Sequence, residues 1–180
     1  MFEGRKIESS SEEMENEPII RGDMAHDEDD LYEREGPKEE TVQVIVFRLA
    51  GEWYGVEISK VREVIRVDKI TRLPSSPEHI AGIISLRGNI LSVTDLKTIF
   101  HLPDEEPTGK SRIISIEHQA WETGLLVDEV VQSIEVPVGK IEPPLPTLPA
   151  VGGRYVKGQC WTGNRLVTIL CVEKIFEKGP

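Results

Sequence analysis

Four histidines, two cysteines and the adjacent carboxylates Asp128 and Glu129 are the groups in this 180-residue chain to weigh for metal binding or acid–base work. His26, His79, His101 and His118 have no cysteine or carboxylate at ligand spacing, so no metal is expected. Asp128 and Glu129 lie between Val127 and Val130, where neighbouring carboxylates read as the solvated edge of a turn rather than an acid and its base. There is no glycine-rich phosphate loop, no GxSxG elbow and no CxxC. Nothing in these patterns argues for an enzyme, a catalytic residue or a cofactor. Arg87 stands out differently. Taken alone, an arginine beside a turn is usually solvated, but next to Ile83 and Leu86 it also suits a binding groove that needs directional hydrogen bonds.

Arg87 is positioned by the stretch Gly82 to Leu96, two β-rich arms around Gly88-Asn89. Both turn residues tolerate positive φ, so a two-residue loop is expected there, with Arg87 at the hairpin mouth. That register opposes Leu86 to Leu91, Ile84 to Val93 and Ser85 to Ser92, giving one wholly apolar face. Such a face needs a core to pack on.

Around this hairpin the chain reads mostly as strands. Thr41 to Leu49 is apolar enough to be buried on both sides, and a corner at Ala50-Gly51-Glu52 turns it into Trp53 to Ile58. Ser59 is expected to cap a short helical turn carrying Val61, Val64 and Ile65. Ser76, with Pro77 after it, is expected to open a second helical turn closed by Gly82. Asp95 fits the cap of a short helix with Leu96, Ile99 and Phe100 on one face. Further strands follow from Arg112 to Ile116, Gly124 to Val127 and Val130 to Val136. After the proline-rich run Pro143 to Pro149, a stiff connector or a PxxP ligand, come a hairpin at Gly163-Asn164 and a terminal helix from about Glu173. In that last hairpin Cys160 faces Val167, too far from Cys171 for a disulfide, so both cysteines are expected as small apolar fillers in strands.

The charge is uneven. Residues 1–40 hold 15 acidic and 5 basic residues, nearly all of the net −11. A segment so polar cannot bury enough apolar area to offset the entropy of ordering, and a disordered acidic tail is expected over 1–40. Leu31-Tyr32 is its one candidate docking motif. The remaining charge is balanced and scattered, which argues against nucleic-acid binding. No apolar run approaches bilayer length and the N-terminus lacks a signal-peptide pattern, so a soluble cytoplasmic protein without membrane insertion is expected.

The chain also repeats itself. Trp53, Gly55, Val56 and Ile58 recur as Trp121, Gly124, Leu125 and Val127, and Gly82 to Val93 recurs as Gly158 to Ile169. The glycine offsets, 69 and 76 residues, agree within loop variation. Two similar β-modules are expected to pack as one domain over 41–178, since one module of about 70 residues alone has a marginal core.

Three strings carry a family likeness: Phe47-x-Leu49 with Tyr54-Gly55-Val56-x-Ile58-x-x-Val61-x-Glu63-Val64-Ile65; Ile70-Thr71-x-Leu73-Pro74; and Ile80-x-Gly82-Ile83-Ile84-x-Leu86-Arg87-Gly88-x-Ile90-Leu91-x-Val93-x-Asp95-Leu96. With Val127-Asp128-Glu129-Val130 in the second half, the stretch from about 42 to 177 resembles the CheW family of chemotaxis coupling proteins. The resemblance implies an all-β fold with short helices, two SH3-like five-stranded barrels sharing a core. It implies a non-enzymatic adaptor joining a CheA-type histidine kinase, through its regulatory domain, to the cytoplasmic tip of methyl-accepting chemoreceptors at membrane-associated arrays. The receptor-binding positions that match are Val61, Glu63, Gly82 and Arg87, and an apolar groove of Val61, Ile83 and Leu86 suits a helical hairpin. Cys171 departs from the family's usual acidic residue, which weakens the cap mirrored by Asp95. Competing readings are a coupling protein of another chemosensory system, for twitching or development, and a nucleic-acid-binding barrel.

Overall fold

The computed structural model describes residues 39–144 and 153–177, so residues 1–38 of the acidic segment and the end of the proline run, Leu145 to Pro149, lie outside the described residues. Ten strands form two mixed five-stranded sheets. In chain order they are β1 (Thr41–Leu49), β2 (Glu52–Glu57), β3 (Val61–Arg66), β4 (Ile80–Leu86), β5 (Asn89–Asp95), β6 (Arg112–His118), β7 (Trp121–Val127), β8 (Glu129–Pro137), β9 (Val156–Thr162) and β10 (Arg165–Leu170). Helix α1 (Leu96–Phe100) follows β5 and α2 (Val172–Phe176) follows β10. The first sheet has the order β8-β1-β2-β10-β9 and the second β3-β6-β7-β5-β4. Neighbours are antiparallel except β2 with β10 and β5 with β7.

The repeat is present, but its halves trade strands. In the repeat, β6 and β7 correspond to β1 and β2, and β8 to β10 correspond to β3 to β5. Each sheet therefore combines the first two strands of one half with the last three of the other. The exchange preserves packing. A Cβ on Gly55 would lie 2.5 Å from Val44 Cγ1, and one on Gly124 2.4 Å from Ile113 Cγ2, at matching positions.

Period-two alternation sends each sheet's side chains two ways. Val44, Val46, Cys160, Val167 and Ile169 fill a small core of the first sheet, and Ile84, Leu91, Val93 and Ile113 fill that of the second. The opposite faces, with α1 and α2, build a common core of Phe47, Leu49, Tyr54, Ile114, Leu125, Phe100 and Ile175. Through it runs an aromatic row, Phe47 to Tyr54 at 6.1 Å, Tyr54 to Phe100 at 5.9 Å and Phe100 to Tyr155 at 5.7 Å between centroids. These are the two expected five-stranded barrels with a shared core.

Several local expectations need correction. The organising hairpin turns at Arg87-Gly88, with φ of 51° and 86°, so Leu86 opposes Asn89, Ile84 opposes Leu91 and Ile83 opposes Ser92. This places glycine at the second loop position that primed turns favour. Val61, Val64 and Ile65 belong to β3; the helical turn is a 3-10 turn at Ile58–Lys60 with no side-chain cap. Ser76 opens no helix: its Oγ donates to Leu73 O, and the Ile80 N–H bonds to Pro77 O in a single turn. Asp95 caps α1 as expected, accepting from Lys97 N at 2.8 Å, whereas Cys171 makes no side-chain cap on α2. Cys171 is thus at a helix N-cap rather than in a strand, its thiol donating to Glu173, while Cys160 is a buried filler in β9.

Candidate protein-docking site

The hairpin β4–β5 carries Arg87 at its tip, in the left-handed region, so the guanidinium projects from a tight turn and is 78% exposed. It bonds Glu63 of β3 at 3.0 Å, although β3 and β4 are opposite edges of the second sheet. That approach means the sheet curls until its edges meet at this end. The pair is largely solvated, so its worth lies in orientation rather than stability.

The bulge in β3 matters to the same end. Val61 pairs with Ile116 and Glu63 with Ser115, leaving Arg62 as the extra residue. A bulge re-aims its side chain. Arg62 reaches Glu117 at 3.4 Å and Glu122 at 3.2 Å, and Ser115 Oγ donates to Glu122 at 2.6 Å. Glu117 and Glu122 are direct cross-strand partners whose repulsion Arg62 offsets. The open end of the second sheet is therefore rimmed by two arginines and three glutamates held in fixed pairs.

The apolar candidates do not share one surface. Leu86 packs on the core of the second sheet, Val61 on the common core, and Ile83 points from the opposite face of β4 to Leu86. Gly82 is required by the backbone: at φ 148° its added Cβ would lie 2.4 Å from Thr71 O, where Thr71 and Ile83 exchange two backbone hydrogen bonds. The structure thus brings Glu63 and Arg87 together, gives Gly82 a structural task, and separates Val61, Ile83 and Leu86.

Asp128 is no solvated turn edge. It accepts from Ala50 N at 2.7 Å and pairs with Lys97 Nζ at 2.7 Å, joining the β1–β2 turn to α1 beside a groove of about 430 Å³ that Asp128 and Lys97 line. The partners are 78 and 31 residues away in sequence, so no local pattern announces them. Likewise the Lys60 ammonium beside Glu173 holds that carboxyl down to about 2, tying the 3-10 turn to α2. Burial pushes the thiols of Cys160 and Cys171 above their usual value, away from the thiolate form. Among the described residues no three His, Cys, Asp or Glu side chains gather to hold a metal, and no helix is long and apolar enough to cross a membrane.

The exposed, paired charges of the arginine–glutamate rim are of a kind that a protein partner can read. Comparison with known proteins gives that reading its family: the CheW-like domain matches residues 43–179. The chain belongs to the CheW family. Among its relatives, the chemotaxis protein CheW of Helicobacter pylori is 30% identical, covering 86% of this chain and 99% of its own. CheW of Treponema pallidum is 26% identical over 81% of this chain and 90% of its own. The crystal structure of the scaffolding protein TtCheW from Thermoanaerobacter tengcongensis superposes with a TM-score of 0.69 and 36% identity, over 77% of this chain and 88% of that one. This CheW family member is accordingly a non-enzymatic scaffold coupling protein of chemotaxis signal transduction.

Proposed function

We propose that this CheW homologue joins a CheA-type histidine kinase, through its regulatory domain, to the cytoplasmic tip of methyl-accepting chemoreceptors. It would act in the cytoplasm at membrane-associated arrays, with the receptor's helical hairpin at the Glu63–Arg87 end of the second sheet. The supporting observation is the 3.0 Å pair between an arginine fixed in a tight turn and a glutamate on the facing edge. Such a pair presents a positive and a negative group at set spacing to a helix surface, and fixes register more than it adds affinity. Val61 and Leu86 are half-buried against different cores, so the apolar contact offered there is limited, and Gly82 keeps β4 close to Thr71. Signalling then passes through packing geometry, with no bond made or broken.

The test is binding of the full chain to a receptor-tip fragment and to a CheA regulatory domain. Arg87→Glu is expected to weaken the receptor fragment about tenfold or more while kinase binding and the circular dichroism spectrum stay unchanged. Unchanged receptor affinity in a folded Arg87→Glu protein refutes the site. Failure of the unmodified chain to bind either protein refutes the coupling role.

A further inference from the structure

The open end of the first sheet occupies the position in the repeat that the Glu63–Arg87 end occupies in the second, with Arg48 and Trp53 at the positions of Glu117 and Glu122, beside a hollow that Glu105, Asp128 and Glu129 also line. Arg48 and Trp53 are direct cross-strand partners, as are Glu117 and Glu122 at matching positions. Arg165 of β10 adds a second guanidinium. Arg48 and Arg165 lie 5.7 and 4.4 Å from the centroid of Trp53, reaching it from the strands on either side of β2. Both arginines are exposed, and neither has a carboxylate within ion-pair distance among the described residues. Glu129 stands opposite Arg48 in the ladder, but its carboxylate faces Lys110 at 3.7 Å.

In the second sheet the bulge residue Arg62 neutralises the two glutamates. The first sheet has the matching bulge, between Val46–Gln132 and Phe47–Val130, and the residue it re-aims is Val131, 39% exposed. An apolar side chain stands where a counter-charge would close the network. The two guanidinium groups stack on one indole and have no carboxylate partner among the described residues, so a counter-charge there comes from beyond those residues or from solvent.

We infer that the Arg48–Trp53–Arg165 end of the first sheet is a second docking surface, for an acidic segment of a partner protein that carries carboxylates flanking an apolar side chain. The carboxylates would pair with the two guanidinium groups in forked geometry, and the apolar group would cover Val131 and the exposed part of Trp53. A nucleic acid fits less well, since two arginines in a chain of net charge −11 do not make a phosphate-tracking stripe.

The experiment uses the full chain and a fluorescein-labelled decapeptide in which glutamates alternate with leucine and tyrosine, its glutamine counterpart, and a DNA duplex, followed by anisotropy. The glutamate peptide is expected to bind, with affinity falling as salt rises, and the glutamine peptide to bind at least about tenfold more weakly. Arg48→Gln with Arg165→Gln is expected to weaken the glutamate peptide about tenfold. Val131→Glu, which rebuilds the neutralised network, should do the same, whereas Arg87→Gln should leave it unchanged. Near-UV circular dichroism checks that each variant is folded. The inference is overturned by equal binding of both peptides, by folded Arg48/Arg165 or Val131→Glu variants that bind like the parent, by loss through Arg87→Gln, or by tighter binding of DNA through the same arginines.

Discussion

Lys97 and Asp128 are 2.7 Å apart, with the ammonium 7% and the carboxylate 30% exposed. A lysine side chain that far from water needs its charge met, here by the Asp128 carboxylate and by a longer bond to Glu105 O at 3.4 Å.

Asp128→Ala is therefore expected to cost about 2–3 kcal/mol in urea-induced unfolding, because it strands Lys97 and removes the acceptor of Ala50 N. Lys97→Met, which keeps the volume and removes the charge, should stay within about 1 kcal/mol of the parent. Equal losses in the two variants would show that the pair contributes by attraction rather than by relieving a buried charge.

Exchanging the charges of the rim gives a second expectation. Glu63→Arg with Arg87→Glu restores an ion pair of opposite direction, and unfolding should shift by less than about 0.5 kcal/mol since Arg87 is largely solvated. If the direction of the pair sets receptor register, the folded double variant still fails to bind the receptor fragment. Recovered binding would mean that only the presence of a pair matters.

Glu173 carries a pH signature. Its carboxyl lies at about 2, lowered from 4.5 chiefly by the Lys60 hydrogen bond. A depressed carboxyl stabilises the fold above its unfolded value, and that contribution disappears as the pH falls from about 4.5 toward 2. Lys60→Met should be less stable than the parent at pH 6, by under about 1 kcal/mol because the side chains are 33% and 41% exposed. The difference should vanish near pH 2; a constant difference across that range would exclude the linkage.

Glycines at two turn-like places should behave oppositely. Gly82→Ala brings a Cβ within 2.4 Å of Thr71 O at φ 148°, and a loss of about 3 kcal/mol or more in thermal or urea unfolding is expected. Gly163→Ala, at φ 61° with open space around it, should cost only about 1 kcal/mol. Comparable losses would show that φ alone, and not the approach of the 70–71 segment, sets the requirement at Gly82.

What could be read in advance was whatever is written locally. Asp95 before an apolar face is a cap signature within four residues, and Gly163-Asn164 fixes Cys160 opposite Val167. The Arg87 hairpin was misplaced because sliding the turn from Gly88-Asn89 to Arg87-Gly88 changes every partner yet keeps Ile84, Leu86, Leu91 and Val93 on one face. Strand β3 is hidden because apolar residues at 61, 64 and 65 imitate helical spacing, while the burial that alternates puts Glu63 on the half-buried side and Val64 on the exposed one. The strand exchange was invisible since alternation reports which face a residue occupies, not which strand lies beside it. Glu63 and Arg87 were legible as candidates only through the family strings, and the rim partners Arg62, Glu117 and Glu122 only through the fold.

The parallel pairing of β2 with β10 joins Tyr54 to Thr168, 114 residues apart. During synthesis, all five strands of the second sheet, Val61 to Val127, are available long before β10 exists. The second sheet can gather on the ribosome and β8 can then cover one edge of β1, but β2 keeps its other edge unpaired until β10, the last strand, emerges. A chain stopped anywhere before Arg165 would thus leave an aggregation-prone amino-terminal hairpin rather than a smaller working protein.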